Sequence, residues 1–116
     1  MIKIKRIYEP PAAGDGFRIL VDRLWPRGLS KEKAKVDLWL RDISPSNELR
    51  KWYGHDPAKW AEFKKRYFQE IKDRRDEFDL LLQKTTEGTV TFLFSSQEEK
   101  LNNATALKEF VERKIG

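Results

Sequence analysis

The chain has no cysteine and a single histidine among its 116 residues. The lack of cysteine excludes disulfide bonds, thiolate nucleophiles, iron–sulfur clusters and the usual structural zinc sites. One histidine also argues against zinc catalysis, so the sequence predicts neither a metal nor a cofactor. Walker loops, dinucleotide-type glycine fingerprints and nucleophile elbows are missing as well. These absences argue against ATPases, the usual NAD-dependent enzymes and serine hydrolases.

Long apolar runs are also missing. No stretch approaches the roughly 20 apolar residues of a membrane span, and the N-terminus MIKIKRIYEPP lacks the apolar core of a signal peptide. We therefore expect a cytoplasmic protein that does not engage membranes. The length fits a single domain over residues 1–116, and the sequence predicts no particular oligomeric state.

What the chain has in excess is charge. Charged residues make up 37% of it, whereas about 25% is typical of soluble domains. The net charge of +5 favours acidic ligands and loose association with nucleic acid. Because acidic residues are interleaved with the basic ones, we expect this bias to be mild.

Two hydrophobic periodicities alternate along the chain and predict an α/β fold. A period of two indicates strands over 2–8, 17–24, 36–42 and 89–95, and a helical period indicates main helices over 57–84 and 98–114. Ser30 can cap a short helix, and a second short helix can begin at Ser44-Pro45-Ser46, where a serine can serve as the cap, and end at Gly54. We expect a small three-layer fold with a mostly parallel or mixed sheet of about four strands flanked by helices. Only about eight residues join the first two strands, which would allow that pair to be antiparallel.

Polar side chains cluster at the ends of three predicted strands. The groups are Arg6 and Tyr8; Asp22, Arg23 and Arg27; and Ser95 and Ser96. Ligands of open α/β sheets bind beyond the carboxyl ends of the strands, and the planar fork of arginine suits phosphate and carboxylate. The sequence therefore predicts an anion-binding cleft walled by Trp25. In the competing interpretation, Asp22 only fixes a loop, Arg6 snorkels and Arg27 is solvated.

His55 lies in the segment WYGHDPAKW, between Gly54 and Asp56. Imidazole is the side chain used most often for proton transfer near neutral pH, so a histidine facing the strand ends could serve as a general acid or base. The alternative is a surface histidine in a corner between two helices, with Asp56 as the cap of the following helix.

Tryptophans and basic runs allow a second type of interface. Trp25, Trp39, Trp52 and Trp60 could stack on nucleic-acid bases, beside the basic runs 64–66 and 72–75. Core packing explains Trp60 better, because it lies on the apolar stripe of a predicted helix, and the basic runs fit the solvated face of that helix.

Three blocks of the sequence resemble the YeaO-like branch of the domain-of-unknown-function family 488 (DUF488). They are LVDRLWPRGLSKEKA, DLWLRDISPSNELRKWYGHDP and FLFSSQEEKLNNATALKEF. The resemblance implies a small bacterial or archaeal α/β domain of unassigned activity. The shared positions are Asp22, Arg23, Trp25, Pro26, Arg27, Gly28, Leu49, Arg50, Trp52, His55, Asp56, Trp60 and Asn103. Where relatives usually have Ala-Lys-Asp after the last strand, this chain has Ser96, Gln97 and Glu98, so a lysine is missing.

These observations support two hypotheses about function. The preferred one is an enzyme or former enzyme that binds a phosphorylated or nucleotide-like anionic small molecule. Its predicted catalytic residues are His55 and Asp22, and its predicted anion-binding residues are Arg6, Arg23, Arg27, Arg50, Trp25 and Ser95. The alternative is a nucleic-acid-binding accessory domain without catalysis, whose binding would be weak and non-specific. Arginines and His55 in one concave pocket would favour the first hypothesis; a flat basic stripe over 64–75 would favour the second.

Overall fold

A parallel sheet organises residues 1–115, the part of the chain that the computed structural model describes. Its strands are β1 (Ile2–Arg6), β2 (Phe17–Leu20), β3 (Leu38–Trp39) and β4 (Val90–Phe94). The strand order is β1-β4-β2-β3, and every neighbouring pair is parallel. The predicted α/β class is confirmed, and all four strands point their carboxyl ends to the same edge of the sheet.

Five α-helices accompany the sheet within residues 1–115. They are α1 (Lys31–Ala34), α2 (Asn47–Tyr53), α3 (Trp60–Lys72), α4 (Arg75–Glu87) and α5 (Asn103–Ile115), with short 3-10 turns at Ala13–Asp15, Arg41–Ile43 and Pro57–Lys59. The predicted caps are confirmed, since the Ser30 and Ser46 hydroxyls accept backbone N–H groups and Gly54 ends α2 at φ 52°. Within residues 1–115, no helix has the length and apolar character needed to cross a membrane.

The order of the strands decides between the parallel and antiparallel arrangements that the sequence left open for β1 and β2. β1 and β2 are not an antiparallel pair, because β4 lies between them and is parallel to both. All five residues of β4 are buried. A strand this apolar is stable at the centre of a parallel sheet, where both of its faces are covered. The chain reaches β2 from β1 through residues 7–16, a crossover that contains only one 3-10 turn.

The predicted single helix over 57–84 is wrong, because the chain breaks between α3 and α4. Asp73 and Arg74 donate their N–H groups three residues back, to Glu70 and Ile71, over 3.1 and 2.9 Å. Residues 72–77 are all charged, so no apolar side chain there holds a continuous helix against the core.

Other boundaries differ from prediction at the ends of elements. β1 ends at Arg6 and β2 at Leu20, and β3 contains only Leu38 and Trp39. The last helix begins at Asn103 rather than near 98, so a loop of residues 95–102 follows β4. The earlier ends of the strands and the later start of α5 lengthen the loops at the carboxyl edge of the sheet, where the site residues lie.

The two faces of the sheet bury unequal cores. Most of the apolar side chains lie between the sheet and α2–α5, with Tyr67 and Phe92 completely buried. The opposite face carries a smaller cluster around Leu20 and Leu93, against which Trp25 and Trp39 pack. This smaller core holds the segment after β2 in place.

A buried ionic cluster lies at the start of β2. The Arg18 guanidinium pairs with Asp15 and also donates to the carbonyls of Lys35 and Ala34, and Lys5 pairs with the same carboxylate at 3.1 Å. Burial alone would raise the pKa of Asp15, but hydrogen bonds from the Ala12 N–H, Lys5 and Arg18 outweigh it and hold the pKa below the usual 3.8. The carboxylate therefore stabilises the fold in its charged form.

Candidate functional site

A cleft of about 790 Å³ opens at the carboxyl edge of the sheet. The loop after β2, the helix α2 with the corner that follows it, and the loop after β4 enclose it. Seven of the eight predicted site residues line this cleft: Asp22, Arg23, Trp25, Arg27, Arg50, His55 and Ser95. The volume lies in the range of small-molecule sites, about 300–1,000 Å³.

Arg6 is the predicted site residue that lies outside the lining of the cleft. Its Nε donates to the carbonyl of Ser96 over 2.9 Å, and its terminal nitrogen donates to the carbonyl of Ser95 over 3.1 Å. The guanidinium carbon lies 5.1 Å from the centroid of the Tyr8 ring. In this position Arg6 stabilises the loop after β4 by binding two of its backbone carbonyls.

Both carboxylate oxygens of Asp22 accept hydrogen bonds from the protein. Oδ2 accepts from the backbone N–H of Ser95 over 2.8 Å and from its hydroxyl over 2.7 Å, and Oδ1 accepts from the Asn103 amide over 3.0 Å. Asp22 thereby joins the loop after β2 to the end of β4 and the start of α5. This arrangement agrees with the structural interpretation of Asp22, and its catalytic role stays a prediction.

The three arginines of the cleft are free of acidic partners. None of the six ion pairs among residues 1–115 involves Arg23, Arg27 or Arg50. The Nε of Arg23 is inaccessible to solvent and has no hydrogen-bond partner, and within residues 1–115 it is the only buried side-chain nitrogen or oxygen in that condition. Leaving a donor of a charged group unsatisfied costs about 1–3 kcal/mol or more. Arg23 borders the cleft, so a ligand acceptor towards which its side chain turns would remove that cost.

His55 is exposed, as expected for a surface histidine in a corner between two helices, and it also borders the cleft at the strand ends. Gly54 and His55 have φ values of 52° and 56°, and this pair of left-handed residues makes the corner after α2. The imidazole lies beside the Tyr53 ring, with the two centroids 5.7 Å apart. A proton-transfer role for His55 stays a prediction.

Glu98 and Tyr53 border the same cleft, and the sequence interpretation missed both. The Glu98 carboxylate accepts the N–H groups of Leu101 and Lys100; these bonds, with a smaller contribution from His55, lower its pKa. The Tyr53 hydroxyl donates to the Leu101 carbonyl over 2.8 Å, and burial, assisted by Glu98, raises its pKa. The sequence signal that could have helped was Asn102, because its side chain caps α5 by accepting the Thr105 N–H. It could have marked the end of the loop 95–102, which carries Glu98.

The tryptophans and basic runs do not form an open platform. All four tryptophans are half-buried. The indole of Trp25 donates to the Leu29 carbonyl over 2.6 Å, and the Arg66 guanidinium lies 4.2 Å from the ring of Trp52. Lys64 and Arg66 are paired with Glu109 and Glu62. Two cations of the basic stretch 64–75 are therefore neutralised by carboxylates from outside the stretch.

The family of the chain is shown by a match along its whole length. The model of the inactive DUF488-N3 subclade matches residues 1–116. The chain belongs to this DUF488 subclade. It is also 36% identical over 110 residues to the uncharacterised protein YeaO of Escherichia coli K12, a match that covers 95% of this chain and 96% of that relative. This DUF488 assignment confirms the resemblance seen in the sequence.

Mycobacterial relatives match a shorter part of the chain. The uncharacterised protein Rv3073c of Mycobacterium tuberculosis H37Rv is 44% identical over 72 residues, which cover 62% of this chain and 61% of that protein. No solved structure matches the chain significantly. Among residues 1–115, no group of three or more His, Asp or Glu side chains is placed to hold a metal ion.

Proposed function

We propose that this DUF488 protein is a former enzyme that binds a phosphate-bearing small molecule in the cleft and does not convert it. Membership of a subclade described as inactive supports the loss of turnover. The absence of the lysine that relatives usually carry after the last strand, where this chain has Gln97, points in the same direction. Binding is supported separately, by the arginines.

The unsatisfied Nε of Arg23 is the observation that carries this proposal. Arg23 is half-buried and only its Nε is inaccessible, but a buried donor kept without a partner needs an explanation. Arg27 and Arg50 border the same cleft without acidic partners. A phosphate group accepts bidentate hydrogen bonds from such guanidinium groups through two of its oxygens, and it balances their charge.

The carboxylates near the cleft do not compete for these arginines. Asp22 is engaged by Ser95 and Asn103, and Glu98 accepts backbone N–H groups of its own loop. The loop that carries Arg27 is also constrained, because Pro26 is buried and Gly28 adopts φ 77°. A constrained backbone reduces the entropy lost when the loop is ordered on binding.

In this proposal the two predicted catalytic residues keep roles in binding. Asp22 holds the cleft together, and His55 at the rim supplies a further donor for the anion. The nucleic-acid alternative has less support, because the basic stretch 64–75 is partly neutralised and the tryptophans are half-buried.

Calorimetric titration with phosphate and pyrophosphate tests the proposal. The Arg27→Ala variant should keep the wild-type melting temperature but bind about tenfold to a hundredfold more weakly, because one charge-assisted contact is lost. The matched control is Arg75→Ala, which removes an exposed arginine of α4 that does not line the cleft. Its binding should equal that of the wild type. If the wild type binds neither anion better than Arg27→Ala does, the proposal is wrong.

A further inference from the structure

Within residues 1–115, the large apolar side chains that are exposed lie at the cleft or at the chain ends. Four large apolar side chains are exposed within residues 1–115: Met1, Tyr8, Leu24 and Ile115. Met1 and Ile115 lie at the ends of the chain, whereas Tyr8, 42% exposed, and Leu24, 67% exposed, both border the cleft. Single exposed apolar residues need no explanation, but two at one ligand-sized cleft form a local apolar surface.

Tyr8 is held rigidly at this position. Its hydroxyl donates to the Arg27 carbonyl over 2.9 Å. The Arg6 guanidinium lies over its ring, 5.1 Å from the centroid, and is itself fixed by the carbonyls of Ser95 and Ser96. The ring is therefore supported by a cation and fixed at its polar end, and Tyr8 lines the cleft.

The cleft is larger and more amphipathic than an inorganic anion requires. Phosphate would use the guanidinium groups of Arg23, Arg27 and Arg50, and it would leave the surface of Tyr8 and Leu24 in water. At about 790 Å³, the space lies within the range of sites for drug-sized ligands, about 300–1,000 Å³, and exceeds what a five-atom anion fills. A rigid aromatic ring beside cationic groups is the arrangement on which planar bases stack.

We infer that the ligand is a phosphate ester carrying a planar ring system, the chemistry of a nucleoside monophosphate. This inference rests on the proposed function. The phosphate lies against the arginines, the ring stacks on Tyr8, and Leu24 covers its edge. Stacking on a ring face does not read the hydrogen-bonding edge of a base, so the site accepts purines and pyrimidines alike.

Calorimetric titration with adenosine monophosphate and with ribose 5-phosphate tests this inference, because both carry the phosphate and only the first carries a ring system. Wild type should bind adenosine monophosphate about tenfold or more tightly than ribose 5-phosphate. Tyr8→Leu should bring this ratio close to one. Tyr8→Phe keeps the ring and loses only the hydroxyl, so it should retain most of the ratio, and thermal melts confirm that each variant is folded.

The outcomes separate this inference from the proposed function. A wild type that binds both esters equally well, through Arg27, overturns the stacking inference and leaves the proposed function intact. A Tyr8→Leu variant that retains the full preference also overturns it. If neither ester nor inorganic phosphate binds, both the inference and the proposed function are wrong.

Discussion

The Asp22→Ala variant distinguishes a structural carboxylate from a functional one. In the structure, Asp22 accepts three hydrogen bonds, two from Ser95 and one from Asn103, over 2.7–3.0 Å. The substitution removes all three and leaves the donors without their charged acceptor. We therefore expect the variant to lose stability and the loops after β2 and β4 to separate.

The size of the effect follows from these contacts. A hydrogen bond to a charged group contributes about 1.5–3 kcal/mol. Ser95 and Asn103 are only half-buried, so water replaces part of the loss, and we expect a total of about 2–4 kcal/mol. For a domain of this size, that loss lowers the melting temperature by roughly 8–16 °C. Ser95→Ala, which keeps the backbone N–H donor, should cost only about 1 kcal/mol.

Urea denaturation and thermal melts measure these differences. The matched control is Asp79→Ala, because Asp79 is an exposed carboxylate of α4; it should stay within about 0.5 kcal/mol of wild type. An Asp22→Ala protein as stable as this control, with anion binding lost, would refute the structural reasoning. It would show instead that Asp22 acts on the ligand.

Three further predictions concern acid stability, backbone geometry and nucleic acid. The pKa of Asp15 is lowered in the folded state. The stability that its carboxylate contributes is therefore complete above about pH 4 and is lost as the pH falls through the pKa of the folded state. Asp15→Asn should therefore lose less stability than wild type between pH 7 and pH 2.5 in urea titrations, and parallel curves would contradict this. A Cβ at Gly16, where φ is 64°, would collide with the carbonyl of Thr89, so Gly16→Ala should cost about 3 kcal/mol or more in urea denaturation. Gly28→Ala has open space at φ 77° and should cost only about 1–2 kcal/mol; equal costs would refute the steric reasoning. In mobility-shift assays, duplex DNA should bind weakly and be released between about 50 and 200 mM salt, and sequence-specific binding that persists in salt would be incompatible with this expectation.

Local signals predicted much of the fold because they act over a few residues. Ser46 and Gly54 mark the ends of α2 through one hydrogen bond and one backbone angle, and both are confirmed. The apolar segment of β4 likewise predicted a buried strand. The pairing of β4 with both β1 and β2 could not be predicted, because it depends on contacts between residues more than seventy positions apart.

The candidate site was predictable in its residues and not in its connections. Polar residues at strand ends could be expected to lie together because parallel strands bring their carboxyl ends to one edge; anion binding there stays a prediction. The roles of Arg6 and Asp22 depend on where Ser95, Ser96 and Asn103 lie in three dimensions. Periodicity does not contain that information. The break after α3 was missed for a related reason, since charged residues are compatible with an exposed helix as well as with its end.

The most direct test of the central claim is a crystal structure of the protein grown with sulfate or phosphate. The claim is that the cleft holds a phosphate group on Arg23, Arg27 and Arg50. We predict density for a tetrahedral anion within about 3 Å of the Arg23 Nε, bound in solution as well by titration. An empty cleft at saturating anion, or an Arg23 Nε that is bonded instead to the protein's own backbone, would contradict the claim.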